Sequence, residues 1–137
     1  MKVIKAICLD TRILSTYLKG KESAYELIEK YQTDGYELYT TVVNITEFFM
    51  GLNKISIVSE GKKKRLKNFF LTLHPRSIDY EAGVLAGSLY ATTLKGQPIG
   101  WRDTFIAAIV LLNGRFIITS NPDHFKRIPD INVIEYY

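Results

Sequence analysis

The stretch MKVIKAICLDTRIL, residues 1–14, passes from a strand-like pattern to a helix-like pattern at a single acidic residue. Lys2 to Leu9 is short, apolar and rich in β-branched residues, which predicts a buried strand. Beyond Asp10 the apolar residues recur at helical spacing as far as Leu18, which predicts a helix that ends near Gly20. The chain therefore begins with a buried strand that leads directly into a helix, with an acid at the junction.

The rest of the chain repeats this alternation of strands and helices. Further strands are predicted at 36–43, 115–120 and 131–136, with a short one at 76–80. Helices are predicted before Asp34-Gly35, over NITEFFMGL (44–52), at 59–72 and 80–95, from Arg102 onward, and as one turn at 122–125. This order predicts an α/β fold with a parallel sheet covered by helices on both faces. No linker or repeat is visible, so we expect one domain over residues 1–137.

Composition indicates a folded cytoplasmic protein. The 137 residues are 47% hydrophobic and 23% charged, which excludes a disordered chain. The longest apolar run, Phe105 to Leu112, is far shorter than the ~20 residues that cross a bilayer, and the N-terminal stretch lacks the features of a secretory signal. Cys8 is the one cysteine, so an internal disulfide is excluded and a buried position is expected.

Three acids lie at junctions between predicted elements. Asp10 follows the first strand, Glu47 lies one turn into the helix after the second, and Asp103 begins the helix WRDTFIAAIVLL. The polar loop SNPDHF, residues 120–125, follows the third strand. Ligands of open α/β sheets bind beyond the carboxyl ends of the strands, so we expect these groups to meet at one edge of the sheet.

Each acid also has a purely structural explanation. Asp10 fits a helix N-cap or an Asx turn. Asn44-Ile45-Thr46-Glu47 matches a capping box, in which Glu47 reaches back to the start of its helix. Asp103 lies in a first helical turn, where the helix dipole favours a negative charge. Taken singly, each acid is better explained by capping than by catalysis.

Taken together, the acids point to a divalent cation. Carboxylates crowded in one cleft repel one another and raise one another's pKa values, and Mg²⁺ or Mn²⁺ relieves that repulsion with a preferred set of oxygen ligands. One cysteine and two histidines are too few for the usual structural zinc or iron–sulfur sites. Such a centre, with one or two ions, is suited to hydrolysing phosphate esters.

An acidic centre that acts on a polyanion also needs basic surroundings. The formal net charge is +4, and much of the excess lies in GKKKRLKNFF, residues 61–70. Taken alone, Lys62 to Lys67 is best explained as a solvated helix face. Beside a nuclease site, these residues and Arg12, Arg102 and Lys126 become candidates for binding the phosphate backbone.

Four segments in order resemble the PIN-domain ribonucleases. They are ICLDT, NITEFFMGL, WRDTFIAAIVLL and ITSNPDHFKRIPDINVI, and the likeness is greatest to the small VapC-type toxins of VapBC toxin–antitoxin pairs. The resemblance implies a three-layer α/β/α sandwich with a central parallel sheet of four to five strands. It also implies Mg²⁺- or Mn²⁺-dependent endonuclease cleavage of single-stranded or structured RNA, an antitoxin protein as partner, and a homodimer.

The resemblance assigns the catalytic acids and metal ligands to Asp10, Glu47 and Asp103. The family's fourth acidic slot is occupied by Asn121, which we expect to hold a water or to orient Asp103, with Asp123 as a substitute ligand. Thr11 and Thr119 match the polar residues that support the acids. His124 is expected to have a structural role, and Trp101 to pack against its helix rather than to stack on a base.

Three alternative functions share parts of this pattern. A degenerate PIN-like module would bind RNA or protein without cutting it, although the complete acidic trio argues against such decay. An RNA-processing nuclease without an antitoxin would have the same site. A small-molecule phosphatase of doubly wound fold would carry a D-x-D pair after a strand, and LDTR lacks the second acid.

Overall fold

The sheet is formed by four short parallel strands in a computed structural model that describes residues 4–55 and 57–137. Its order is β2-β1-β3-β4, with β1 at Ala6–Leu9, β2 at Glu37–Tyr39, β3 at Phe116–Thr119 and β4 at Asn132–Glu135. All three pairings are parallel, as the strand–helix alternation predicts. Residues 1–3, which include the first two residues of the predicted strand from Lys2 to Leu9, lie outside the described residues.

Helices connect the strands. They span Thr11–Leu18 (α1), Glu22–Thr33 (α2), Val42–Ile55 (α3), Glu60–Thr72 (α4), Tyr80–Ser88 (α5), Trp101–Leu112 (α6) and Pro122–Lys126 (α7), with a π-helix at Leu89–Thr93 directly after α5. Among the described residues, none of these helices is long and apolar enough to cross a membrane.

Successive side chains of β1 point to opposite faces of the sheet, and both faces are buried. Ala6 and Cys8 belong to one apolar core, whereas Ile7 and Leu9 belong to the other. The first core is completed by α5, the π-helix and α6, and the second by α1, α2, α3 and α4. The three-layer α/β/α arrangement is therefore confirmed, and Cys8 is fully buried as expected.

Helix α6 is the central helix of the first layer. Ile106 to Val110 are at most 1% exposed, so this part of the helix is enclosed on all sides. Ala107 and Ala108 share the core with Ala6 and Cys8 of β1, and their small side chains allow the helix to lie close to the sheet. The apolar segment behind Asp103 is thus a rigid support for that residue.

The largest error in the predicted elements concerns the second strand. It was expected to extend over 36–43, but β2 ends at Tyr39 and α3 begins at Val42. The backbone N–H of Asn44 donates to Thr41 Oγ1 at 3.1 Å, so a threonine caps the helix earlier than the sequence pattern suggested. Helix α3 also continues to Ile55, past the predicted end before Asn53.

Two smaller predictions were also wrong. The segment 76–80 forms no strand. Its β-pairing consists of one isolated bridge between Arg76 and Thr41. The helix predicted at 80–95 ends as an α-helix at Ser88 and continues as the π-helix to Thr93.

Candidate active site

A cleft of about 1010 Å³ opens beyond the carboxyl ends of β1 and β3. All three predicted acids, Asp10, Glu47 and Asp103, line it together with Asn121 and His124. These side chains come from β1, α3, α6 and the segment after β3, so only the folded chain brings them together. The prediction that they meet at one edge of the sheet is confirmed.

Asp10 is held at the floor of the cleft by the end of β1. Its backbone N–H donates to Ile118 O of β3 at 3.0 Å, which continues the sheet pairing by one residue. Its Oδ1 accepts from Thr11 N at 2.9 Å and from Asn44 Nδ2 at 2.7 Å, and its Oδ2 accepts from Thr119 Oγ1 at 2.6 Å. Asp10 therefore caps α1, as predicted, while its Oδ2 retains a lone pair that can face the cleft.

Glu47 faces the cleft from the second turn of α3. Because α3 begins at Val42, Asn44 lies inside the helix and cannot cap it, so the predicted Asn44–Glu47 capping box is wrong. Asn44 is instead fully buried and donates to Asp10. Arg102 Nη1 lies 3.9 Å from Glu47 Oε2, which brings one cationic side chain beside this carboxylate.

Asp103 lies in the first turn of α6 without capping it. The N-cap is Gly100, and no side chain supplies a cap hydrogen bond there. The Asp103 carboxylate turns towards His124 instead, with 2.5 Å between Asp103 Oδ2 and His124 Nδ1. Asn121 Nδ2 lies 2.9 Å from the same ring nitrogen. Asn121 therefore reaches Asp103 through His124, which the sequence had suggested as a structural residue only.

Burial and neighbouring charges raise the pKa values of Asp10 and Glu47. Burial raises the pKa of Asp10 above its ordinary value, hydrogen bonds from Thr119, Thr11 and Asn44 oppose this shift, and the charge of Asp103 adds to it. Burial also raises the pKa of Glu47, with further increases from the charges of Asp10 and Asp103 and an opposing effect from Arg102. Both effects, burial and the repulsion between acids that share one cleft, disfavour the charged form of a carboxyl group.

The donor set suits a hard divalent cation. Three carboxylates and an amide line one partly enclosed cleft, and oxygen ligands of this kind are the ones that Mg²⁺ and Mn²⁺ prefer. Within residues 4–55 and 57–137, no three acidic, histidine or cysteine side chains stand close enough to hold one metal ion between them. Mg²⁺ usually keeps several of its own waters and is bound through only one or two carboxylates, so two of these acids would be enough to hold it.

Two predicted site residues lie away from the cleft. Asp123 is exposed in the first turn of α7 and does not line the cleft, because Asn121 and His124, three residues apart, share the inward face and Asp123 points elsewhere. Lys126 is also absent from the lining and pairs with Glu135. The cleft thus offers no role for Asp123 as a metal ligand.

The cationic part of the cleft differs partly from the prediction. Arg12 and Arg102 line it as expected, and Lys19 and Lys21, which sequence reasoning missed, join them. Lys62 lines a smaller neighbouring pocket of about 330 Å³ that shares Glu47 with the main cleft. The sequence did contain a signal for Lys19. Arg12, Ser15, Thr16 and Lys19 recur at helical spacing and therefore lie on one face of α1.

Comparison with known proteins gives consistent matches over most of the chain. The sequence profile of the PIN domain matches residues 7–131. The tRNA(fMet)-specific endonuclease VapC of Salmonella typhimurium is 25% identical over 129 residues, which cover 93% of this chain and 96% of that protein.

Two solved structures have the same fold. A chain of VapBC2 from Rickettsia felis, bound to a promoter DNA fragment, matches with a TM-score of 0.81 and 23% identity, covering 96% of this chain and 99% of that one. A chain of DNA-bound VapBC from Salmonella typhimurium matches with a TM-score of 0.77 and 23% identity, covering 95% and 97%. Because the family profile spans nearly the whole sequence and the sheet and helices agree with it, the chain belongs to the PIN-domain family.

Proposed function

We propose that this protein is a Mg²⁺- or Mn²⁺-dependent endoribonuclease and the toxin of a type II toxin–antitoxin pair, with residues 1–137 acting as one domain. The observation that carries the proposal is the convergence of Asp10, Glu47 and Asp103, from three separate parts of the chain, on one cleft with cationic walls. The Salmonella relative, a tRNA-specific endonuclease, supports RNA as the substrate. A cellular RNA substrate is consistent with a cytoplasmic protein.

The three carboxylates would hold the cation. Bound there, Mg²⁺ or Mn²⁺ supplies Lewis-acid activation of a water nucleophile and neutralises charge that develops on the phosphate. Asp10 is kept in place by Thr11, Asn44 and Thr119. Asp103 is kept in place by His124.

The cationic residues would bind the substrate. Arg12, Lys19 and Lys21 offer their charges to phosphates that flank the scissile bond. Arg102 lies 3.9 Å from Glu47 with 65% of its side chain exposed, so it can move from that carboxylate to a substrate phosphate. Fixed positive charge around an acidic centre is needed because the carboxylates alone repel RNA.

An antitoxin and a second copy of the chain complete the proposal. The solved structures with the same fold come from VapBC complexes, which supports an antitoxin as partner. On α5, Tyr80 and Val84 lie four residues apart and are 81% and 57% exposed, so this helix offers an apolar surface for a homodimer. Sedimentation of the purified protein and of a Val84→Asp variant tests the dimer, since the variant should be monomeric.

Cleavage of labelled RNA tests the activity. Wild-type protein should cut in Mg²⁺ or Mn²⁺ and not in EDTA, whereas Asp10→Asn, Glu47→Gln and Asp103→Asn should each lose at least about 100-fold in rate, in line with catalytic electrostatic groups. Asp130→Asn is the matched control, because it makes the same chemical change at an exposed residue that does not line the cleft. RNA binding without cutting would favour a non-catalytic module, and cleavage that survives all three substitutions would contradict this site.

A further inference from the structure

An aromatic pair stands at the rim of the cleft. Trp101, the one tryptophan of the chain, stacks on Tyr90 with 4.7 Å between ring centroids and an interplanar angle of 10°. Trp101 nevertheless remains 59% exposed. Trp101 packs against its own helix as expected, with 6.1 Å between its ring centroid and that of Phe105, but much of the indole is open to solvent.

Two unusual backbone features bring these rings together. Tyr90 lies in the π-helix Leu89–Thr93, an irregularity that occurs often at functional sites. Trp101 is the first residue of α6 and follows Gly100, whose φ of 90° turns the chain into the helix. The two rings therefore come from two separate segments, the π-helix and the start of α6, and not from neighbouring turns of one helix.

The position of Trp101 relates it to the acids. Trp101 lines the same cleft as Asp10 and lies two residues before Asp103. Arg12 and Lys19 line the cleft from the α1 side of the sheet, whereas Trp101 lines it from the α6 side, and these helices belong to the two different cores. An RNA strand that crosses the cleft would therefore meet Arg12 and Lys19 on one side of the acids, and the indole together with Arg102 on the other.

We propose that Trp101, supported by Tyr90, is a stacking platform for an unpaired base of the RNA, next to the phosphate held at the acids. This inference rests on the proposed nuclease function and adds to it a residue that contacts a base of the substrate. A base inside a duplex is already stacked on both faces, so only an unpaired base can lie on the indole. Aromatic stacking of this kind tolerates any base.

Intrinsic fluorescence tests the platform directly, because Trp101 supplies the whole tryptophan signal. Protein in EDTA and low salt is titrated with short oligo(U) and with an abasic ribose–phosphate oligomer of equal length. Oligo(U) should quench the emission saturably and bind more tightly. Equal affinity for the two oligomers, with no change in emission, would overturn the proposal.

Variants separate stacking from charge and from folding. Trp101→Leu should bind oligo(U) roughly 5- to 100-fold more weakly, the range expected for loss of one stacked base, while its affinity for the abasic oligomer stays the same. Trp101→Phe should recover part of the loss, because it keeps a flat ring. Tyr25→Leu is the matched control, since Tyr25 is 45% exposed and pairs with Tyr17 outside the cleft.

The same proteins distinguish this inference from the nuclease proposal. Quenching by oligo(U) without any cleavage in Mg²⁺ or Mn²⁺ would contradict the nuclease and leave the stacking site standing. Normal cleavage and an unchanged KM in Trp101→Leu would contradict the stacking site alone. A Trp101→Leu protein that binds RNA normally but changes its oligomeric state would show that the pair is a protein contact, which also overturns the proposal.

Discussion

His124 Nδ1 lies 2.5 Å from Asp103 Oδ2, a contact that joins the short helix after β3 to the first turn of α6. At this distance the ring nitrogen must carry a hydrogen, since two lone pairs would otherwise face each other. Asn121 Nδ2 lies 2.9 Å from the same ring nitrogen, so the Asn121 side chain is placed beside this contact. The contact fixes the direction of the carboxylate that is proposed to hold the cation.

Replacement of His124 should therefore weaken catalysis without unfolding the protein. We expect His124→Ala to lower both the cleavage rate and the Mn²⁺ affinity by about 10- to 100-fold, the usual effect of losing a group that orients a metal ligand. His124→Gln keeps a donor and should lose less. Calorimetric titration with Mn²⁺, together with cleavage rates, measures both effects. An alanine variant with wild-type values would show that Asp103 needs no such support.

Replacement of Asp10 should stabilise the cation-free protein. Asparagine caps a helix as well as aspartate does, and it can keep the neighbouring hydrogen bonds because the Thr119 hydroxyl can accept as well as donate. Since burial and the charge of Asp103 disfavour the Asp10 carboxylate, Asp10→Asn removes an unfavourable charge. We expect its melting temperature in EDTA at pH 7 to rise by roughly 3–6 °C, the change that about 1 kcal/mol produces in a domain of this size. A lower melting temperature would mean that the carboxylate is favourable where it lies.

The stability difference between Asp10→Asn and wild type should depend on pH with a definite sign. The folded-state pKa of Asp10 is raised from 3.8, so between 3.8 and that raised value the folded protein binds more protons than the unfolded chain. The wild-type free energy of unfolding therefore falls with rising pH over this window, relative to a variant that lacks the group. Urea unfolding of both proteins in EDTA from pH 4 to pH 8 measures the two free energies of unfolding. As pH rises, the variant's advantage in this free energy should grow and then level off. A difference that shrinks as pH rises would contradict the raised pKa.

Gly114 should be the most sensitive glycine in the fold. Its φ is +93°, and an added Cβ would lie 2.8 Å from Ala6 O and 3.1 Å from Ala6 N, both backbone atoms that cannot move aside. We expect Gly114→Ala to reduce the free energy of unfolding by about 2–4 kcal/mol, from the left-handed backbone and the clash together. Gly20→Ala is the control, because its φ is +82° but nothing lies within 4 Å of the added carbon. Equal losses in urea unfolding would show that the contact with β1 is unimportant.

The sequence predicted the fold and the acidic trio well because both follow from local rules. A strand that ends in an acid and leads into a helix places that acid at the carboxyl edge of a parallel sheet, and this holds for Asp10 whatever the rest of the chain does. Asp103 was found from its place at the start of the apolar helix.

What the sequence missed depends on contacts between distant segments. Asn44 looked like a helix cap because the pattern of α3 does not reveal that Thr41 caps it first. The role of His124 depends on a residue of α6 that is remote in sequence, and no local spacing encodes such a contact. Asp123 was a reasonable candidate ligand until the turn of α7 fixed which of its neighbours faces the cleft.

Calorimetric titration with Mn²⁺ tests the central claim most directly, because it asks whether the three carboxylates hold one cation site irrespective of any RNA. Wild-type protein and Asp123→Asn should bind Mn²⁺ with the same affinity, and Asp10→Asn, Glu47→Gln and Asp103→Asn should each bind at least about 10-fold more weakly. If wild-type protein binds no Mn²⁺, or if the three cleft variants bind it as tightly as wild type, the carboxylates are not a metal centre and the nuclease account fails.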